Sequence, residues 1–353
     1  MEEIVSKINS KNSNNLLTRR SILRNGAGMA VTGAFLSMPS IGQASGTQDI
    51  NIKLDWLMSN GQIGDVVASK KGFFEDQGLN VTFLPGGPNS QTVPPVLSGM
   101  AKLGQFSSSG QALLARGNGI PLKMFAAGYR ISPFAFFSLP NAPIREPKDV
   151  IGKRIGIQPT ARFVLDLLLL ENNIDPASLE IISIGYDMSP LLSGQVDAVT
   201  GWVTNTRALS VIGPDRIDMT ERETGLQSYS DCYFAHENTL RDHGDVATSY
   251  IAGAAKGWEW TYKNREEAVD ILVDAYPNLD RETEKATIDK VIDLSFDSVT
   301  KEHGWGWVET DKLQKQINQY SSVGKFEKEI PTIATFLDMS ALEATSDIRP
   351  KLG

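Results

Sequence analysis

One feature limits this chain's folding options more than any other: short β-rich runs alternate with segments of helical period, and the alternation occurs twice. Such an order buries its apolar faces only as layers, with helices packed over a mainly parallel sheet. In the first unit, Ile50–Trp56 alternates with the strand period and runs into Ser59-Asn60-Gly61. A helix is expected from Ile63 to Lys71, closed by Gly72. Further strands are expected at Leu79–Leu84, Lys102–Phe106, Leu122–Ala127 and Phe134–Leu139, with helices at Ser90–Leu97 and Gly110–Arg116. The second unit reads the same way. Strands at Arg154–Ile157, Leu179–Ile184 and Gln195–Thr200 surround a helix opened by Pro159-Thr160-Ala161.

The last third changes character and is nearly all helix: Val246–Tyr262, Asn264–Ala275, Arg281–Leu294 and Thr310–Tyr320. Asn264 and Glu267 are spaced as a capping box. From Ile330 the chain reads as a loose tail. The fold class expected is therefore α/β, two lobes joined by two crossovers and followed by a helical C-terminal third. Crossings are placed near Leu139 and near His236. Lobe 1 is then 47–138 with 237–340, lobe 2 is 139–236, and 341–353 is tail.

Composition removes several function classes. Of 353 residues, 34 are basic and 42 acidic, a net charge of −8, so no basic field attracts nucleic acid. No apolar run reaches the roughly 18 residues needed to span a membrane. Cys232 is the single cysteine, and His236, His243 and His303 are the three histidines. That set makes neither an internal disulfide nor a Cys-rich zinc site. Cys232 is expected to be a buried structural residue. No G-x-S-x-G elbow, Walker loop, G-x-G-x-x-G or H-E-x-x-H motif is present. No cofactor and no metal are expected.

The N-terminal segment reads as an export signal. Thr18-Arg19-Arg20-Ser21-Ile22-Leu23-Arg24 follows a twin-arginine pattern, a mild apolar stretch runs from Gly26 to Met38, and small residues lead to a cleavage site after Ala44. Residues 1–44 are set aside as a twin-arginine signal peptide, which implies a periplasmic location.

Several motifs in order carry a family resemblance. They are Leu54-Asp55-Trp56, Ala68–Leu79 (ASKKGFFEDQGL), the turn Pro85-Gly86-Gly87-Pro88, Ala112–Pro121 (ALLARGNGIP), Glu146–Lys153, Leu191–Ala198 and Lys256–Trp260 with Glu266-Glu267-Ala268. In this the chain resembles the NMT1/THI5-like substrate-binding proteins of ABC importers, which are similar to the sulfonate, taurine and nitrate binders. The resemblance implies a periplasmic-binding-protein type II fold, with a small molecule held between lobes and delivered to a permease and ATPase complex by a monomer. The family also contains pyrimidine synthases, so an enzyme stays open as an alternative, as does an anion binder. At Leu57–Gln62 the sequence departs from the pyrimidine binders, because Gln62 stands where they carry a histidine.

Ligand contacts are expected at strand ends and helix starts facing the cleft. In the first lobe these are Asp55 and Trp56 after the first strand, the amides Asn60 and Gln62, and the hydroxyls Ser107 and Ser108. In the second they are Gln158 and Thr160 at a helix start, Tyr186 and Asp187 after a strand, and Trp202 and Asn205 after the next. Trp56 and Trp202 are expected to form two aromatic walls with a planar ligand between them. Trp56 packed in a core, and Ser108 as a plain helix cap, are the competing readings. Arg130, Arg162 and Arg207 are the candidate cations. The mix of amides, hydroxyls and aromatics favours a planar, largely neutral heterocycle. Trp258 and Trp260 are assigned to the core.

Overall fold

The computed structural model describes residues 47–87 and 90–353. The expected signal peptide, residues 1–44, lies outside the described residues. In chain order the first lobe contains β1 (Gln48–Leu54), α1 (Ile63–Lys70), β2 (Leu79–Leu84), α2 (Val93–Leu97), β3 (Leu103–Phe106), α3 (Ser109–Gly117) and β4 (Leu122–Tyr129). The chain then crosses to build β5 (Phe134–Ser138), β6 (Arg154–Ile157), α4 (Arg162–Glu171), β7 (Glu180–Ser183), α5 (Ser189–Leu192), β8 (Ala198–Trp202), α6 (Thr206–Ile212) and β9 (Ile217–Thr220). It returns as β10 (Ser230–His236). Helices follow: α7 (Glu237–Asp242), α8 (Gly244–Lys263), α9 (Arg265–Ala275), α10 (Arg281–Ser295), α11 (Ser298–His303), α12 (Thr310–Ser322), α13 (Ile333–Phe336) and α14 (Ser340–Ala344).

Two five-stranded sheets result, ordered β2-β1-β3-β10-β4 and β7-β6-β8-β5-β9. Each has the same plan, three parallel strands followed by an antiparallel one in fourth position. That fourth strand is the one that has just crossed from the other lobe. β5 enters the second sheet directly after β4, and β10 returns to lie between β3 and β4.

This exchange moves both domain boundaries from their expected places. Phe134–Ser138 belongs to the second lobe and Ser230–His236 to the first, so the crossings fall at residues 130–133 and before Ser230. The physical reasons differ. Two apolar runs separated by a short Arg-Ile-Ser-Pro link read as two strands of one lobe, yet the Arg130 amide donates to Leu294 O and the Val203 amide donates to Pro133 O, which turns the chain into the second sheet. β10, for its part, is a central strand buried along nearly its whole length, so it lacks the period-two signal that exposes a strand in sequence.

The helical third covers the first sheet. Gly257 lets α8 lie directly on α1, because a methyl there would meet Gly64 O at 2.1 Å. Trp258 is fully buried, as expected, whereas Trp260 is half-buried under Lys71, whose Nζ is 4.2 Å from the ring centroid. The Asn264–Glu267 capping box does not form: the Asn264 amide instead donates to Trp260 O at 2.9 Å, closing α8. Residues 341–353 are not a loose tail either. Ala341 and Leu342 are buried, and the Arg349 guanidinium donates to Trp305 O (2.7 Å) and Leu342 O (3.0 Å) inside the first lobe.

Two C-terminal helices also touch the second lobe. Thr206 Oγ1 of α6 donates to Thr283 O of α10 at 3.2 Å, and Lys325 just past α12 pairs with Asp166 of α4 at 3.1 Å. The crossings are clamped from the same side. Arg130 pairs with Asp297 and Glu309 and sits over the Tyr229 ring, while Lys312 Nζ donates to Arg130 O at 2.6 Å. Arg130 and Tyr229 flank the two crossing segments, so the crossings are fastened by ion pairs around the buried Arg130.

Candidate functional site

A cavity of about 800 Å³ opens between the strand ends of the two lobes. From the first lobe it is lined by Trp56–Gln62, Ser107 and Tyr129, with Ser230 and Asp231 from β10. The second lobe adds Tyr186, Asp187, Trp202, Asn205 and Arg207, and α10 with its preceding loop adds Asp280 and Glu284. A narrow crevice of about 20 Å³ lies beside it, bounded by Asp55, Ser107, Ser108, Thr160, Trp202 and Glu221.

Local geometry explains why these side chains meet. β1 ends at Leu54, and Asp55 continues into a turn covered by Pro85-Gly86-Gly87. The Gly86 and Gly87 amides donate to Trp56 O and Asp55 O at 2.9 and 3.1 Å. Gly86 is required there, because a methyl would sit 2.3 Å from Asp55 O. Ser59 then caps a short 3-10 turn, Asn60–Gln62, through a capping box with Gln62. That turn carries Asn60 to the lobe boundary.

Trp56 and Trp202, each half-buried at a strand end, meet across the cleft with ring centroids 4.7 Å apart and planes tilted by 39°. Both line the cavity, so neither is a core residue. In this conformation they touch, and a sandwiched planar ring would need about 7 Å between them, two van der Waals spacings. The expected slot between two separate walls is therefore absent. The pair forms one continuous aromatic wall.

The other anticipated residues divide by what their polar atoms already bond. Asn60 Nδ2 donates to Thr204 O (2.9 Å) and to Glu284 Oε2 (2.7 Å), joining turn, second lobe and α10. Gln62 lines the cavity, but its amide is held by Gln105 and the Ser59 amide. Asp55 faces the crevice and accepts from Thr92, Ser107 and Gln111 at 2.8 to 3.0 Å. Ser108 Oγ accepts from the Gly110 amide as the cap of α3, and Thr160 borders the crevice. Tyr186 is exposed at the cavity mouth. Asp187 beside it is held below the usual carboxylate range by the Ser189 hydroxyl and amide. Asn205 caps α6 through the Ala208 amide.

Gln158 is a correction. It is 1% exposed and borders neither space, because its amide turns inward to Gly185 O, Thr200 O and Thr200 Oγ1. Of the candidate cations, Arg207 borders the cavity with Nη1 on Asn278 O. Arg130 is spent at the hinge and Arg162 on Asp166. Cys232 lies fully buried in β10, where burial pushes its thiol well up.

Among the lining residues that escaped the sequence reading are Tyr129, Asp231 and Glu284. Glu284 sits on a helix whose sequence reads as solvent-facing, and burial raises its carboxyl above its ordinary value despite the hydrogen bond from Asn60. An aspartate inside the apolar run Ser230–Ala235 was the available signal for Asp231.

Comparison with known proteins agrees with this architecture. Residues 60–268 match the family described as NMT1/THI5 like. A formylaminopyrimidine-binding protein of Halalkalibacterium halodurans is 24% identical over 64% of this chain and 70% of its own. A 4-amino-5-hydroxymethyl-2-methylpyrimidine phosphate synthase of Legionella pneumophila is 21% identical over 65% of this chain and 74% of its own. Among solved structures, the alkanesulfonate-binding protein of Xanthomonas axonopodis pv. citri bound to MOPS has a TM-score of 0.63 at 14% identity, covering 84% of this chain and all of its own. That likeness shows the periplasmic-binding-protein fold.

Proposed function

This chain belongs to the NMT1/THI5-like family, and from that premise we propose that it is the exported solute-binding protein of an ABC importer, capturing a small planar nitrogen heterocycle of pyrimidine type. The cleft is the capture site, and closure of the two lobes about the clamped crossings commits the ligand. The released ligand passes to a permease and ATPase complex, and the protein acts as a monomer. Arg19-Arg20 directs export to the periplasm.

One observation carries the ligand class. An aromatic wall, Trp56–Trp202, stands over a lining that holds the carboxylates Asp187, Asp231, Asp280 and Glu284 against the single cation Arg207 among the described residues. A small oxyanion needs converging donors, and a lining with four acidic side chains and one cation offers it few. A flat ring with N–H donors gains from both features. The anion-binder alternative loses support on the same observation.

The enzyme alternative rests on the likeness to the Legionella synthase. Against it, Cys232 and His236 border neither the cavity nor the crevice, and the His236 ring is engaged in capping α7. Incubating the protein with a bound pyrimidine and recovering it unaltered supports binding without turnover. Conversion that is lost on His236→Ala would favour the enzyme.

A thermal-shift screen tests the ligand class. Pyrimidines at 100 times their dissociation constant should add about 2.7 kcal/mol of stability, while alkanesulfonates and nitrate add none. Stabilisation by the anions alone would reverse the assignment.

A further inference from the structure

Asp231, the second residue of β10, has φ at +49°, a left-handed backbone that few residues other than glycine, asparagine and aspartate tolerate. It is 8% exposed and faces the cavity. The other buried carboxylates around the cleft are each engaged. Asp55 accepts from Thr92, Ser107 and Gln111, Asp65 from Tyr233, Tyr250 and Trp258, Glu284 from Asn60, and Glu221 from Ser228. Asp231 accepts from no side chain or amide among the described residues.

Its neighbours make room for this vacancy. A methyl on Gly61 would sit 2.9 Å from Asp231 Oδ2, so the glycine leaves the carboxyl free to reach the cavity. Tyr129, from the adjoining strand, also lines the cavity, and its buried hydroxyl has no partner either. A buried hydroxyl without a partner is costly, and beside it Asp231 turns a carboxyl that no side chain engages toward the same cavity, so the site is built for something that satisfies both.

The charge around Asp231 narrows the choice. Burial, with Asp65 and Asp55 nearby, raises its carboxyl well above the usual carboxylate range, which favours the proton-bearing acid. Glu284 and the hydroxyl of Tyr129 face the same volume. A basic ring nitrogen brought here can take that proton, and the cation it forms is welcome among these acids. A carboxylate and a ring nitrogen flanked by an amino group then match bidentately.

Resting on the cleft reading above, we propose that Asp231 is the specificity-determining residue: it passes its proton to the ring nitrogen of an aminopyrimidine-type heterocycle and holds the resulting amidinium edge by two parallel N–H···O bonds. The proton leaves a carboxyl oxygen and joins the ring nitrogen, so the pair stays neutral overall. Tyr129 Oη supplies the third contact.

Calorimetric titration with two probes tests this, 4-amino-2-methylpyrimidine and 2-methylpyrimidin-4-one, which share a shape but differ in basicity. Wild type should bind the amino probe at least tenfold more tightly. Asp231→Asn, which keeps the shape and tolerates the left-handed backbone, should remove that preference while leaving the oxo probe within about threefold. Gly61→Ala, which crowds Oδ2 from the outside, should cause the same selective loss, with far-ultraviolet circular dichroism confirming that both variants fold. Equal binding of the two probes by wild type, binding of neither, or a preference that survives Asp231→Asn overturns the assignment. The cleft reading fails separately, if Trp56→Ala leaves both affinities at the wild-type value.

Discussion

Trp56 and Trp202 touch across the lobe boundary at 4.7 Å between ring centroids, Trp56 two residues past the end of β1 and Trp202 the last residue of β8 in the other sheet. Trp202 is held from behind by Phe134 of β5, ring edge to face at 6.0 Å. The contact therefore joins the two lobes at the cavity wall. Opening the cleft breaks it, and a ligand that stacks on the pair favours the closed form by that differential contact.

Removing either ring should cost affinity more than stability. Trp56→Ala and Trp202→Ala are each expected to weaken binding by about 2 kcal/mol, as for a buried aromatic anchor. Trp258→Ala, in the core, should lower unfolding free energy by about 3–5 kcal/mol. Calorimetric titration and chemical denaturation of the three variants compare the two quantities directly. A large stability loss at Trp56 with wild-type affinity would place it in the core.

Asn60 is expected to control closure. Its amide satisfies Thr204 O in the second lobe and Glu284 at once, so Asn60→Ala leaves a buried carboxylate without its donor. We expect a loss of about 1–3 kcal/mol for the closed form. Small-angle scattering of the unliganded variant should show a larger radius of gyration than wild type. An unchanged radius would mean that this bridge does not hold the lobes.

Much of this was legible in the chain. Strands that alternate or end in Gly-rich turns, such as Arg154–Ile157 and Leu79–Leu84, coincide with the structure because local pattern and tertiary position agree. β10 did not announce itself, since a strand buried on both faces has no alternation and its partners β3 and β4 lie more than a hundred residues upstream. The strand-end rule brought Trp56 and Trp202 to the cleft, but Gln158 obeyed it in sequence and turned inward in space, because two carbonyls of its own lobe needed a donor. Asp231 was hidden for the converse reason: its role comes from the donors it lacks, and no local pattern records a missing partner.

Acidity should stabilise the first lobe. Asp65 is buried among Tyr233, Tyr250 and Trp258, and desolvation raises its carboxyl to about 6 despite those hydrogen bonds. The folded state thus keeps a proton that the unfolded state releases near its ordinary value. The resulting stability is fully present below about pH 4 and is lost as pH rises through about 6, a change of order 2–3 kcal/mol. Unfolding free energy measured between pH 4 and 7 should fall with that slope, and Asp65→Asn should flatten it by one proton. An identical slope in the variant would assign the effect to other groups.

Export should depend on the arginine pair itself. Arg19→Lys with Arg20→Lys keeps the charge but removes the feature a twin-arginine receptor reads. The expected result is a precursor retained in the cytoplasm. Unchanged secretion of the double variant, or secretion stopped only by a block of the general pathway, would contradict the assignment.

The central claim is that the inter-lobe cavity beside Trp56 and Trp202 holds the transported molecule. Native mass spectrometry of the protein as purified from its host, beside the Trp56→Ala/Trp202→Ala double variant, tests it most directly. The account predicts a small heterocycle bound one to one in the wild type and absent from a variant that still unfolds cooperatively. Retention of the same compound at the same occupancy by the double variant would place the binding site elsewhere.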